Sequence, residues 1–411
     1  MTIKRIQFII TLNIILLLFV SDPGYTEKAR GVTDTTIKVG GIMDMSGPAA
    51  ELGTQMHPAH RNYFRWINEK GGINGRKIKY ICEDDGYSIP RAIAAFKKLV
   101  FKDEVICILA TGGSGQTIAL TSQIEKEKII CLTIGMSERV IFNSSKPRYI
   151  FMYGISYGDT MKVIIDYLMA DLKAKKSRIA YIYPANEVGF SGLRVINERF
   201  KLYGVNLVGK EIVAPGAVDL GTQILGLKRV KPEYVLIQHF PQTAVAIFRA
   251  AKRFGLSTRF CGTFYITDDH VVKGAGKSAK GYLGTQSFDS WYADTPGMRM
   301  LRETTLRYNP ATENRQRIKQ HIQGWAGAKI FTEAMKRAGR DLNSKTMLEG
   351  MESLRNYNTG VSAPITYTTS DHKGGGYCKV YKANVNKSIL VPITEWRKAL
   401  STEGIERVKG E

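Results

Sequence analysis

The chain has 411 residues, 44% of them hydrophobic and 23% charged, with forty glycines and thirteen prolines spread along it. That length and balance exclude a fibrous or disordered protein and favour two or more packed domains. The formal charge is +22, but the basic residues are dispersed, the densest groups being KAKKSR and LKRVK. No RNP-like, zinc-finger or helix-turn-helix pattern accompanies them, so the charge reads as a solvated surface, with no nucleic acid as partner.

Residues 1–30 read as a signal peptide region. Lys4 and Arg5 precede an apolar stretch, Ile6 to Val20, broken by Gln7, Thr11 and Asn13. It is shorter than the roughly 20 residues of a membrane span and fits a secretory signal, implying a periplasmic or other extracytoplasmic location. No small-x-small triplet follows at the usual distance, so cleavage and retention as an anchor both stay open. No cysteine stands nearby, which excludes a lipoprotein anchor.

From Thr36 short apolar runs alternate with helical spacing. The strand-type runs are IKVGGI, KIKYICE, VICILA, IICLTI, RYIFMY, RIAYIY, YVLIQHF and RFCGTF. Helical patterns over 55–69, 90–101, 116–126, 158–172, 187–201, 220–230 and 243–254 lie between them. Such alternation predicts βαβ units and parallel sheets covered on both faces. The series runs over 36–153 and restarts over 177–286, so the expected fold is α/β with two doubly wound, Rossmann-like lobes and a cleft between them. Ligands in such sheets bind beyond the carboxyl ends of the strands. Three glycine- and hydroxyl-rich turns fall there: MSGPAAELG, ATGGSG and TIGMSER. The last third is mostly helical from Met298 to Leu354, with a helix over 320–338. The strand-like PITYTT, GYCKVYKA and SILVPI follow, so the chain is expected to cross back between lobes.

Nucleotide loops fail on inspection: no lysine follows Gly112–Gly115 at the Walker spacing, and Ile118 replaces the third glycine of a dinucleotide fingerprint. A nucleophile elbow fails at Ser114 and at Ser191, each lacking the last glycine. No cofactor is implied, and an enzyme is not expected. His57 and His60 share a helix face, but zinc needs a third protein ligand that is not evident. Glu83–Asp84–Asp85 ends a strand before GYSIP and reads as turn formation and capping before acid/base or metal chemistry. The five cysteines, 82, 107, 131, 261 and 378, sit in apolar runs without CxxC spacing. They read as buried thiols, with a Cys82–Cys107 bridge open if their strands are neighbours. Ser114 and Ser137 each lie past a strand end and before a helical segment, beside Gly112, Gly113 and Gly115 or beside Gly135. Hydroxyls and free N–H groups at a helix N-terminus suit a carboxylate; capping alone would also account for either serine.

These stretches, IKVGGIMDMSGPAAELG, NEKGGINGRKIKY with EDD, GGSGQT, LTIGMSER, YIYPANEVGFSG, RAAKRFGLSTRFCGT and GAGKSAKGYLGT, resemble the branched-chain amino-acid-binding family. That family comprises type I periplasmic binding proteins that deliver ligands to ABC transporters. The resemblance covers 33–385. It implies two lobes joined by a three-crossover hinge: 33–154 with 287–361, and 155–286 with 362–395, followed by a C-terminal tail over 396–411. Hinges are expected near Tyr153–Ser156, Thr285–Phe288 and Gly360–Pro364. It implies as partners a small-molecule ligand and the membrane permease and ATPase subunits of a transporter.

Carried over residue by residue, the family's carboxylate seat falls on Ser114, Gly135 and Ser137, and a second-lobe aromatic falls on Phe240. Other positions depart. The first-turn aromatic is Leu52, the tyrosine of the second-lobe motif is Val188, the crossover acid is Ser156, and the second-lobe glutamate falls near Phe264. Those two carboxylates hold the α-ammonium in amino-acid binders, and an ammonium buried without them would cost several kcal/mol. The expected ligand therefore keeps a carboxylate and lacks an α-amino group, against an apolar wall of Leu52, Val188, Phe240 and Phe264 with Tyr153. A slip of the alignment around Phe264 would bring Tyr265, Asp268 or Asp269 into the site, and either aspartate would revive an amino-acid ligand. A sensor module with the same fold is the remaining alternative.

Overall fold

The computed structural model describes residues 29–141, 148–310 and 318–410, so the expected signal peptide region lies outside the described residues up to Lys28. The first series folds as β1 (Thr36–Met43), α1 (Ala50–Glu69), β2 (Lys77–Asp84), α2 (Ile89–Lys97), β3 (Cys107–Thr111), α3 (Ser114–Glu127), β4 (Ile130–Thr133) and β5 (Ile150–Met152). These five strands form one parallel sheet in the order β2-β1-β3-β4-β5. Helices cover both of its faces, so β3 and β4 are buried along their whole length. Such strands read as unbroken apolar runs rather than alternating ones.

The second series is α4 (Tyr157–Asp166), β6 (Ile179–Tyr183), α5 (Glu187–Tyr203), β7 (Leu207–Ile212), α6 (Gly221–Val230), β8 (Tyr234–Ile237), α7 (Pro241–Arg253), β9 (Arg259–Gly262), α8 (Asp269–Ala275) and β10 (Leu283–Gln286). Two of these strands carry no apolar run. β7 is a half-buried edge strand, LVGKEI, and β10 is a short polar one, LGTQ. The chain then returns to the first lobe as α9 (Pro296–Tyr308), α10 (Lys319–Ala338) and α11 (Ser344–Glu352). There α10 lies along α1, and Trp325 meets the ring of Tyr63 edge-on at 5.1 Å. It ends as β11 (Lys379–Asn384), β12 (Ile389–Pro392) and α12 (Thr402–Gly410). The two strands complete a second sheet in the order β12-β11-β10-β9-β8-β6-β7, antiparallel only at β10–β11–β12.

Three crossings join the lobes, and they touch one another. Phe288 and Ser362 form an antiparallel bridge. A Cβ on Gly375 would lie 2.9 Å from the carbonyl oxygen of Tyr153. The return to the second lobe comes later than expected. Residues beyond 361 stay with the first sheet, where Tyr367 N donates to the Leu354 carbonyl and Met152 N to that of His372, whose ring stacks on Phe151 at 3.8 Å. The segment expected as a tail is folded against the second lobe: Leu400 N donates to Asp166 and Ile405 is fully buried. All five cysteines are free thiols. No Cys82–Cys107 bridge forms, because β1 lies between β2 and β3. Among the described residues, no helix is long and apolar enough to cross a membrane.

Candidate functional site

The carboxyl ends of β1, β3 and β4 open into three loops facing the second lobe. From across the cleft come Phe240 after β8, Tyr265 after β9 and Tyr157 at the start of α4. Together they line a narrow cavity of about 50 Å³. The wall is mostly apolar, with Met43, Leu52, Met56, Ile134, Met136 and Phe240 among its residues. Tyr87 of the first lobe meets Phe240 edge-on at 5.6 Å. The acid on the wall is Asp44, and it is already engaged: its carboxylate accepts the backbone N–H groups of Ser46, Gly47 and Ala49 at 3.2, 2.5 and 2.6 Å.

The turn ATGGSG is folded tightly enough to bring backbone to the cavity. Ala110 sits at φ +69° and Gly112 at φ +73°, the left-handed region that glycine adopts freely and alanine does not. A Cβ on Gly112 would also lie 2.2 Å from Asp85 Oδ2. Burial pushes the Asp85 carboxyl up to about 6, with Asp44 and Asp84 adding repulsion against a hydrogen bond from Tyr87 N. Asp84 accepts Met45 N and Gly86 N and pairs with Arg91 at 3.0 Å, the turn-forming role that the spacing of EDD implied. Helix α3 begins directly after this turn. Its capping residue is Gly113, so no side chain caps it by a hydrogen bond, although the Gln116 and Tyr87 side chains lie close to it; Gly112 and Gly113 both line the cavity.

Ser114 and Ser137 lie side by side, joined through the Ser137 backbone and not through two hydroxyls facing the cavity. Ser137 N donates to Ser114 Oγ at 3.1 Å. The Ser137 hydroxyl itself donates to Glu187 of the second lobe at 2.5 Å and accepts Arg139 N at 3.3 Å, so a protein carboxylate and a local cap occupy it. Ser114 is linked to the cavity by the Tyr157 hydroxyl, which also stands 3.1 Å from that of Tyr265. Burial holds both phenols in the protonated, hydrogen-bonding form. Gly135 packs tightly against the first crossing and the second lobe: a Cβ there would meet the Ile155 carbonyl oxygen at 1.9 Å and the Phe264 ring at 3.0 Å.

Of the remaining sequence candidates, Leu52 and Phe240 lie on the cavity wall. Phe264 is buried behind it, stacked on Tyr157 at 5.8 Å, and its neighbour Tyr265 takes the wall position. Val188 is tied into the second lobe, its carbonyl accepting the Gln238 amide. Tyr153 points into the first lobe, donating to the Gln323 carbonyl at 2.9 Å. Ser156 caps α4 by accepting Asp159 N and faces Glu138. Asp268 and Asp269 do not line the cavity; they accept Lys319 N and Leu390 N at 2.5 and 2.6 Å. Tyr87, Met136 and Tyr157 went unread because each sits in an otherwise ordinary loop or helix start.

Contacts between the lobes flank the cavity on both sides. On one side Glu187 receives Ser137 and Arg139, while Glu138 receives Ser156 and, at 3.2 Å, Ser191. On the other, Glu51 of α1 lies 2.7 Å from His270 Nε2 as an ion pair, and His270 Nδ1 is 2.8 Å from Asp268. Burial opposes the charged imidazole, but the two carboxylates outweigh it and raise its pKa to about 10.

A family model described as periplasmic binding protein matches residues 36–388. The Leu/Ile/Val/Thr-binding protein of Salmonella typhimurium is 27% identical over 262 residues, covering 63% of this chain and 71% of that protein. The structure of a branched-chain amino acid ABC transporter protein from Thermus thermophilus with bound valine superposes with a TM-score of 0.84 at 22% identity, over 92% of this chain and 99% of that one. A fatty acid ABC transporter substrate-binding protein from Thermomonospora curvata does so with a TM-score of 0.80 at 22% identity, over 93% and 97%.

Proposed function

The chain belongs to the periplasmic binding protein family, and from that premise we propose that it is the extracytoplasmic substrate-binding component of an ABC transporter. Its ligand is a small acid without an α-amino group, captured by closure of the two lobes and presented to a membrane permease and its ATPase. The observation that carries this reading is the N-terminus of α3, free of any side-chain cap, at the wall of a mostly apolar cavity. Backbone N–H groups there, with the hydroxyls of Tyr157 and Tyr265 on the wall and that of Ser114 behind Tyr157, suit a carboxylate without lysine or arginine. The acid on the wall, Asp44, is engaged by three N–H groups.

An amino-acid ligand is the second reading. Glu138 favours it, since its carboxylate stands at the crossover beside Ser156, where the sequence itself carries no acid. Several relatives are named for leucine, isoleucine and valine, and one solved neighbour for fatty acids. Titration calorimetry of ligand-stripped protein against benzoate-like acids, fatty acids and leucine separates the two. Binding of simple acids with no response to leucine is expected; tight leucine binding without affinity for the acids refutes the first reading.

A further inference from the structure

Helix α10 begins beside the second crossing, behind the cavity wall. Lys319 N donates to Asp268 of the second lobe at 2.5 Å. His321 Nδ1 lies 3.2 Å from the carbonyl of Gln55, which sits between the wall residues Leu52 and Met56. In this first turn the side chains of Gln320 and Gln323 are 0% and 1% exposed, yet none of their four polar atoms has a hydrogen-bond partner. Ser287 of the second crossing also leaves its hydroxyl unmatched. It adjoins Phe288, whose carbonyl accepts the Lys319 ammonium at 3.2 Å.

Buried amides are matched in folded proteins with few exceptions, because an unmatched one loses the hydrogen bonds it made to water. Two of them three residues apart share one helix face. They give α10 nothing that leucine or methionine would not give better by packing. A carboxamide offers a donor and an acceptor together. Its complement does the same, as a hydroxyl or an amide does and a hydrocarbon or a lone cation does not.

We propose that Gln320 and Gln323 are specificity-determining residues that receive an uncharged hydroxyl or amide group on a part of the ligand other than its acid. The inference rests on the ligand-binding reading above and narrows its substrate class to polar-substituted acids, apart from plain fatty or aromatic ones.

The test is titration calorimetry of the ligand-stripped full chain against three matched pairs. These are phenylacetate with 4-hydroxyphenylacetate, hexanoate with 6-hydroxyhexanoate, and phenylalanine with tyrosine. The hydroxylated member of at least one pair is expected to bind about tenfold tighter or more, since a site built for a hydroxyl rejects the analogue lacking it. Gln320→Met and Gln323→Met should each reduce that preference and should not lower the ligand-free melting temperature. A preference for the plain member in every pair, or a preference that survives both substitutions, overturns the proposal. So does a melting temperature that falls in both variants, which marks a structural role. Head-group choice reads separately. Tyrosine over phenylalanine with no simple acid bound supports this inference and ends the reading of a ligand without an α-amino group, whereas binding of no probe overturns both.

Discussion

Ser137 presents a hydroxyl whose two roles are both taken, one by Glu187 across the cleft and one by Arg139 N. Ser114 instead sits at the head of α3, behind the Tyr157 phenol. The two serines should therefore separate in experiment. Ser114→Ala is expected to weaken an acid ligand by ~1–3 kcal/mol, the usual loss for a hydrogen bond to charge. Ser137→Ala should act on the contact between the lobes, lowering the ligand-free melting temperature as well as affinity. Calorimetric titration and thermal melting of both variants check this; identical profiles would refute the division. At Gly135 no side chain fits, because the Ile155 carbonyl oxygen stands 1.9 Å from where a Cβ would be. Gly135→Ala is expected to destabilise the fold by about 1–3 kcal/mol through overpacking, measured by denaturant unfolding.

Helix α3 shows how an element can be legible while its use is not. Its start after ATGGSG follows from the glycines and the apolar spacing, and the structure begins it at Ser114. That its N-terminus stays open follows from Gly113, which has no side chain to donate or accept. Gly113→Ser would supply a hydroxyl cap there, displacing the Gln116 and Tyr87 side chains that crowd the site. Such a cap leaves fold stability within about 1 kcal/mol and should lower affinity for a carboxylate ligand, as read by titration against melting temperature. Unchanged affinity would move the acid elsewhere. The strands divide in the same way. Buried β3 and β4 announce themselves as continuous apolar runs, while β7, half exposed at a sheet edge, and β10, short and polar, do not.

At the scale of the whole molecule the lobes are joined by charge as well as by backbone. Glu51 and Asp268 hold His270 with a pKa near 10, against an ordinary value of 6.5. A raised imidazole pKa contributes stability that is fully present below the ordinary value and is lost as pH rises through the raised one. Scanning calorimetry of the ligand-free protein is expected to show a melting temperature that falls between about pH 7 and pH 10. His270→Gln should flatten that slope, and equal slopes would show that the contact adds nothing to the fold.

By itself the sequence determined the two α/β series, the turns at their strand ends and the likeness to periplasmic binding proteins. Each of these is a pattern within a few residues or a matter of order along the chain. Only the tertiary structure decided that Tyr265 and not Phe264 reaches the cavity, that Glu187 meets Ser137, and that Gln320 and Gln323 are buried unmatched. Those facts depend on which side chains face one another across a cleft, between residues tens to hundreds of positions apart. Local periodicity carries no record of that distance.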